Sequence, residues 1–251
     1  MARAAVLGRV TWRVAVVEEV REETATARTL GLRVAGWPGH DAGQHVDVRL
    51  TAPDGYTAVR SYSIASAAAG DLVELTVELV PDGEVSPYLT QVVAAGDRFE
   101  VRGPLGGWFV WRPGQQEAVQ LIAGGSGVVP LMSIVRARAT SGSAPARLLY
   151  SVRTPQSVFY LPELERREHA DTGLEVTLAY TRAAPAGHSR PPGRVDAGLI
   201  GAATWPADRQ PTCYVCGPTG FVESVAGLLV DAGHDPGRIR TERFGPSGGT
   251  S

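Results

Sequence analysis

Along the N-terminal part of the chain, apolar and polar side chains alternate in short runs over residues 9–20, 27–34, 44–50, 59–64, 72–80 and 98–101. A period of two marks strands with one buried face, and six of them at this spacing predict an antiparallel barrel or sandwich. The turns between them have a mechanism. Pro53-Asp-Gly55 and Pro81-Asp-Gly83 place proline where φ is preset and glycine where positive φ is accepted. After Ser86-Pro87-Tyr88-Leu89, read as a short helix with Ser86 as its N-cap and Pro87 at the first helical position, residues 103–109 are expected to close the barrel.

The pattern changes beyond residues 111–116, a polar, turn-rich stretch that reads as a linker. Strands are predicted over 119–123, 147–152, 175–180, 212–216 and 238–244. Helices are predicted over 128–139, 159–169, 196–200 and 220–232. Alternation of this kind specifies a mainly parallel sheet covered by helices on both faces. The expected architecture is two domains, an antiparallel β-barrel over residues 1–112 and an α/β domain over 117–251.

Composition narrows the chemistry. The 251 residues are 43% hydrophobic and 20% charged, with 30 glycines and 18 prolines, which suits a globular fold rich in turns. A net charge of −2 gives no reason to expect nucleic acid or an anionic membrane as partner. All 24 basic residues are arginine. A phosphate-binding loop of the G-x-x-x-x-G-K type and Schiff-base catalysis both need lysine, so both are excluded. Two cysteines, Cys213 and Cys216, are too few for an iron–sulfur cluster or an all-thiolate zinc site, and the five histidines are dispersed, so no metal site is expected. No apolar run reaches the roughly 18 residues of a membrane span, and a cytoplasmic location is expected.

The candidate chemistry lies in four stretches. Arg60-Ser-Tyr-Ser-Ile-Ala-Ser66 puts a cation and an aromatic ring two residues apart on one strand face, with Ser63 on the other. Taken singly, Arg60 reads more readily as a solvated edge charge and Tyr62 as a half-buried strand aromatic. Together they can grip a phosphate and stack a heteroaromatic ring. Gly83 to Leu89 offers a turn and a helix start, either an ordinary capped connection or an anion site. Gly124-Gly-Ser-Gly-Val-Val-Pro130 follows a buried strand and opens a helix, so its backbone can approach a pyrophosphate. Pro130 stands where a G-x-G-x-x-G fingerprint needs glycine, and Val128 excludes the G-x-S-x-G elbow. Cys216-Gly-Pro-Thr-Gly220 ends a strand. A thioredoxin-like C-x-x-C would open a helix instead, which leaves a buried structural thiol or a ligand-side cysteine.

These stretches resemble, in order and over nearly the whole chain, the ferredoxin-NADP reductase family of FAD- and NAD(P)-binding oxidoreductases. R-x-Y-S-I-x-S is similar to its flavin signature, G-G-S-G-V-V-P to its nucleotide loop and C-G-P to its nicotinamide motif. The resemblance implies an FAD-binding β-barrel followed by an NAD(P)-binding domain. Arg60 would contact the pyrophosphate, Tyr62 would stack the isoalloxazine, Ser63 would lie near flavin N5, and Ile64 would bind the cofactor with them. Gly83, Val85 and Ser86 would hold the pyrophosphate, and Gly125, Ser126 and Gly127 the nicotinamide nucleotide. Cys216, Gly217 and Pro218 would shape the nicotinamide pocket, while Glu242 and Phe244 would border the flavin. Ser63, Cys216 and Glu242 form the implied catalytic set. Plant-type relatives end on a stacking tyrosine, whereas here seven residues follow Phe244.

The implied reaction passes hydride from NADPH to FAD and electrons to a separate redox protein, a ferredoxin or an oxygenase. Alternatives are the reductase component of an oxygenase, a free flavin or ferric reductase, and a non-catalytic FAD-binding electron-transfer subunit. NADP is expected over NAD. The strand ending at Val152 is followed by Arg153 and Thr154 where an NAD site places a carboxylate, and Thr181-Arg182 and Arg194 stand where relatives bind the 2′-phosphate.

Overall fold

The computed structural model describes residues 10–141 and 144–244. Six strands, β1 (Trp12–Thr24), β2 (Ala27–Val34), β3 (His45–Thr51), β4 (Thr57–Ser63), β5 (Leu72–Glu78) and β6 (Arg98–Leu105), form one antiparallel sheet in the order β4-β3-β6-β1-β2-β5. It curls on itself, and its edge strands meet where Ile64 bridges Leu75 and the Ala65 amide donates to the Glu74 carbonyl at 2.8 Å. Val46, Val48, Leu30, Leu32, Val73, Leu75 and Ile64 fill the interior. Closure lies at this β4–β5 junction and not at residues 103–109, because Gly103 to Leu105 belong to β6, which is already paired on both sides by β1 and β3. The expected start of the first strand at Arg9 lies outside the described residues.

The second sheet is parallel, with β7 (Val119–Gly124), β8 (Ala146–Val152), β9 (Leu174–Tyr180), β10 (Thr212–Pro218) and β11 (Ile239–Phe244) in the order β11-β10-β7-β8-β9. The helices α1 (Val128–Ser141) and α2 (Leu161–Ala170) cover one face, and α3 (Ala197–Ala203) and α4 (Thr219–Asp231) the other. Strand residues alternate between these layers: Leu121 and Ala123 pack towards α1, whereas Ile122 packs towards α4. Strand β10 splits its cysteines the same way, so Cys213 and Cys216 lie on opposite faces and both are free. Order reverses between β7 and β10, which makes their C-terminal ends the switch point where such sheets bind ligands. Among the described residues, no helix is long and apolar enough to cross a membrane.

The barrel docks against the α1–α2 face. Trp111, expected at the head of a polar linker, is 1% exposed and joins the core there with Phe109, Ala42 and Ala65. Arg136 of α1 donates to the Ala65 carbonyl at 2.9 Å and pairs with Glu74 of the barrel at 2.7 Å and Glu163 of α2 at 2.6 Å. The Tyr160 hydroxyl donates to Thr76 of β5, and its amide to Glu23 of β1.

Candidate functional site

Between the barrel edge and the parallel sheet lies a cleft of about 910 Å³, inside the usual range for ligand sites. One wall is β4 with the turn before the helical segment, bringing Arg60, Tyr62, Ser63, Gly83, Val85 and Ser86 together. The opposite wall carries Ser126, Val129, Glu242 and Phe244. Seven of the residues named from the sequence therefore meet around one space with two more, Glu242 and Phe244, from the far end of the chain. Ile64 lies one residue beyond this wall, fully buried in the barrel core at the closing bridge.

Register explains the two walls of β4. Ser63 pairs with His45, Ser61 with Asp47 and Arg60 with Val48, so Tyr62 and Arg60 share one face and Ser63 the other. Burial pushes the Tyr62 phenol up to about 12, and the ring stays neutral across the working range. The Ser63 hydroxyl is buried without a hydrogen-bond partner. His45 also lines the cleft, and burial lowers its imidazole against the opposing pull of Asp47, which favours the neutral form. Sequence reasoning passed over His45; its cross-strand position opposite Ser63 was the available signal.

Ser86 lines the cleft but does not cap the helix. Its own backbone is already helical, and its hydroxyl accepts from the Val80 amide at 3.0 Å and donates to the Val80 carbonyl at 3.3 Å, tying the turn shut. The segment then continues as a single π-helical stretch, Tyr88–Val92.

At the switch point, Gly125 to Gly127 form one 3₁₀ turn that leads into α1. Gly125 sits at φ +55°. A Cβ on Gly127 would lie 2.1 Å from the Cys216 carbonyl oxygen, so this position admits only glycine while the ends of β7 and β10 stay in contact. Gly217 and Pro218 follow and lead directly into α4, which brings the starts of two helices, and the positive ends of their dipoles, to one place. Cys216 is fully buried, and burial followed by the nearby Glu242 raises its thiol well above the ordinary value. Burial therefore favours the neutral thiol, and Cys216 lies behind the residues that line the cleft.

Glu242 stands opposite Cys216 in the β10–β11 register. Burial raises its carboxyl to about 7, and its Oε2 atom is buried with no hydrogen-bond partner among the described residues. Ser63 and Glu242, each with an orphaned oxygen, line one cleft and fit a ligand with polar ring edges, and the open backbone at Gly125, where an added Cβ meets nothing within 4 Å among the described residues, fits a close diphosphate. The residues present therefore fit FAD and a nicotinamide nucleotide.

Arg153, Thr181, Arg182 and Arg194 lie apart from the cleft. They border the ends of β8 and β9, where the Arg182 amide donates to the Arg153 carbonyl at 3.0 Å. Among the described residues, Arg153, Arg182 and Arg194 are exposed and have no carboxylate at ion-pair distance, although Arg190 beside them is held by Asp196 at 2.6 Å.

Residues 14–110 match the oxidoreductase FAD-binding domain family, and residues 121–227 the oxidoreductase NAD-binding domain family. A similar protein is the ferredoxin–NAD(P)(+) reductase component of the naphthalene 1,2-dioxygenase/salicylate 5-hydroxylase systems of a Ralstonia species. It is 31% identical over 238 residues, covering 92% of this chain and 69% of that protein. Another is the reductase component of propane 2-monooxygenase from Mycolicibacterium smegmatis, 30% identical over 197 residues, covering 76% of this chain and 54% of the relative. The chain thus spans about two thirds of the first and about half of the second. Among solved structures, the FAD/NAD-binding domain of a nitric oxide dioxygenase from Vibrio cholerae superposes with a TM-score of 0.84 at 25% identity, covering 95% of this chain and 100% of that one.

Proposed function

This chain belongs to the ferredoxin reductase-like family of FAD- and NAD(P)-binding oxidoreductases, and from that premise we propose that it is an NADPH-dependent reductase delivering electrons to an oxygenase system, through a ferredoxin or directly. The barrel, taken to about residue 112, is the flavin module, and the chain from about residue 117 is the nicotinamide module. The observation that carries this reading is that Ser63 and Glu242, each with a buried oxygen that has no hydrogen-bond partner among the described residues, line one cleft from two domains. The oxygenase as acceptor rests on the two reductase components that the chain resembles.

When bound, FAD supplies the exchange between a two-electron hydride donor and acceptors that take electrons singly or in pairs. The chain's residues do the rest. Arg60 and the turn of Gly83, Val85 and Ser86 hold the diphosphate, and the neutral Tyr62 ring offers a stacking surface. Ser63 presents a hydroxyl to a ring edge. Glu242, raised to about 7, can hold or release a proton at Oε2 near neutral pH. The packed ends of β7 and β10, with Ser126 and Cys216, keep water from the contact between the two rings. Arg153, Arg182 and Arg194, without a carboxylate partner among the described residues, form with Thr181 the 2′-phosphate subsite that favours NADP over NAD.

Reconstitution with FAD followed by anaerobic addition of NADPH tests the proposal. Flavin should be retained and its colour should bleach. Retention without bleaching by either NADPH or NADH would leave a non-catalytic FAD-binding subunit, and failure to retain FAD would remove the flavin site altogether.

A further inference from the structure

Glu84 lies in the turn between Gly83 and Val85, on the same cleft wall as Arg60. Its Oε2 accepts from Arg60 Nη2 at 2.6 Å, and its Oε1 accepts from the Tyr56 hydroxyl at 2.7 Å. Arg60 Nη1 is turned to the Val59 carbonyl at 2.8 Å. The guanidinium that is read as the phosphate contact is thus held by an internal anion, and that anion is tethered from its far side. Arg60 and Glu84 are 53% and 46% exposed, so their pairing is weak and leaves the guanidinium open to a phosphate, while the Tyr56 bond holds the carboxylate beside it.

We propose that Glu84 is a specificity-determining residue of the flavin site, which selects a dinucleotide diphosphate over a phosphomonoester. The inference rests on the reading of Arg60 as a phosphate contact. A phosphomonoester such as that of FMN carries about −1.5 to −2 at neutral pH, because its second ionisation falls near 6. Each phosphate of the FAD diphosphate carries a single charge, and the second is displaced along the cofactor. A carboxylate fixed beside Arg60 therefore repels the compact dianion more than the spread one. One further unit charge at 4–8 Å in a water-like dielectric changes an equilibrium about two- to fivefold. Arg60 keeps donors free for a phosphate while Glu84 stays in place, since a guanidinium has five N–H groups.

The test is titration of the flavin-free chain with FAD and with FMN, followed by quenching of flavin fluorescence, for the unmodified protein, Glu84→Gln, Tyr56→Phe and Arg60→Gln. Glu84→Gln should tighten both flavins and narrow the FAD-to-FMN ratio of Kd values by about two- to fivefold. Tyr56→Phe, which frees the carboxylate to swing away, should narrow it by less. An unchanged ratio in Glu84→Gln overturns the inference. Weaker FAD binding by Glu84→Gln overturns it too, since Glu84 would then be aiming Arg60. Arg60→Gln separates this failure from that of the underlying reading. If it binds FAD as tightly as the unmodified chain, the phosphate contact itself is wrong and the inference falls with it. If it binds weakly while the Glu84→Gln ratio stays unchanged, only the inference falls.

Discussion

Replacing Glu242 by Gln in the flavin-free chain should make its stability less dependent on pH, with a sign and window set by one buried atom. Burial holds the carboxyl at about 7 in the folded state, against an ordinary value of 4.5. The folded value is raised, so the folded chain binds a proton that the unfolded chain has released between those two pH values. Stability contributed at this position is present below about 4.5 and is lost as pH rises to about 7. At 1.36 kcal/mol per pH unit the full loss is roughly 3 kcal/mol. Glutamine fills the same space without titrating. Urea unfolding of both proteins between pH 4.5 and 8, with the difference plotted against pH, isolates this carboxyl because the other titrating groups cancel. Glu242→Gln should gain up to about 3 kcal/mol relative to the unmodified chain on going from pH 4.5 to pH 8. In a chain of this size that corresponds to roughly 6–12 °C in Tm. A flat difference would mean that Oε2 is solvated in solution, and the proton-holding role argued for Glu242 would go with it.

Two further predictions follow from the switch point and from the unpaired arginines. Gly127→Ala must push the ends of β7 and β10 apart, since its Cβ would meet the Cys216 carbonyl at 2.1 Å; a loss of about 1–3 kcal/mol and weakened NADPH binding are expected, and an unchanged Tm would show that the strand ends are looser than described. Arg182→Ala should lower kcat/KM for NADPH by about tenfold or more while sparing NADH, because one charge-assisted contact is lost; equal effects on both nucleotides in steady-state assays would remove Arg182 from the 2′-phosphate site.

Alternation along the chain located the six barrel strands because each buries one face, whereas the five parallel strands read as short runs between helices, β7 as a continuous apolar one because both of its faces are covered. The switch-point loops were legible for a different reason. Glycine runs between a buried strand and a helix have few other uses, and Gly127 demonstrates the constraint in steric terms. The signals that failed concern partners distant in sequence. Trp111 is followed by Arg, Pro, Gly and Gln, which argue for solvent, yet it packs with Ala42 and Ala65 across the domain junction. Ser86 could have bonded forward to helix amides or backward to Val80, and sequence offers no way to choose. Glu84 and His45 carry no periodic signal, because both face the cleft from positions whose neighbours are ordinary strand and turn residues.

The same distinction applies to what makes the cleft a defined site. Its two walls belong to separate sheets, so the placement of Ser63 relative to Glu242 depends on how firmly the barrel and the α/β domain are joined. That junction is built from directional contacts as well as apolar burial. Arg136 binds a backbone carbonyl and two carboxylates from three elements with its side chain only 11% exposed, and Tyr160 binds Glu23 and Thr76. Elsewhere along the junction, Tyr214 donates to the Val110 carbonyl at 2.9 Å, and the Gly43 amide donates to Ser133 at 2.8 Å. Apolar contact alone tolerates sliding, whereas several bonds with fixed directions do not. Thr76 itself lines the cleft, so the network that fixes the domains ends on a residue inside the site it positions.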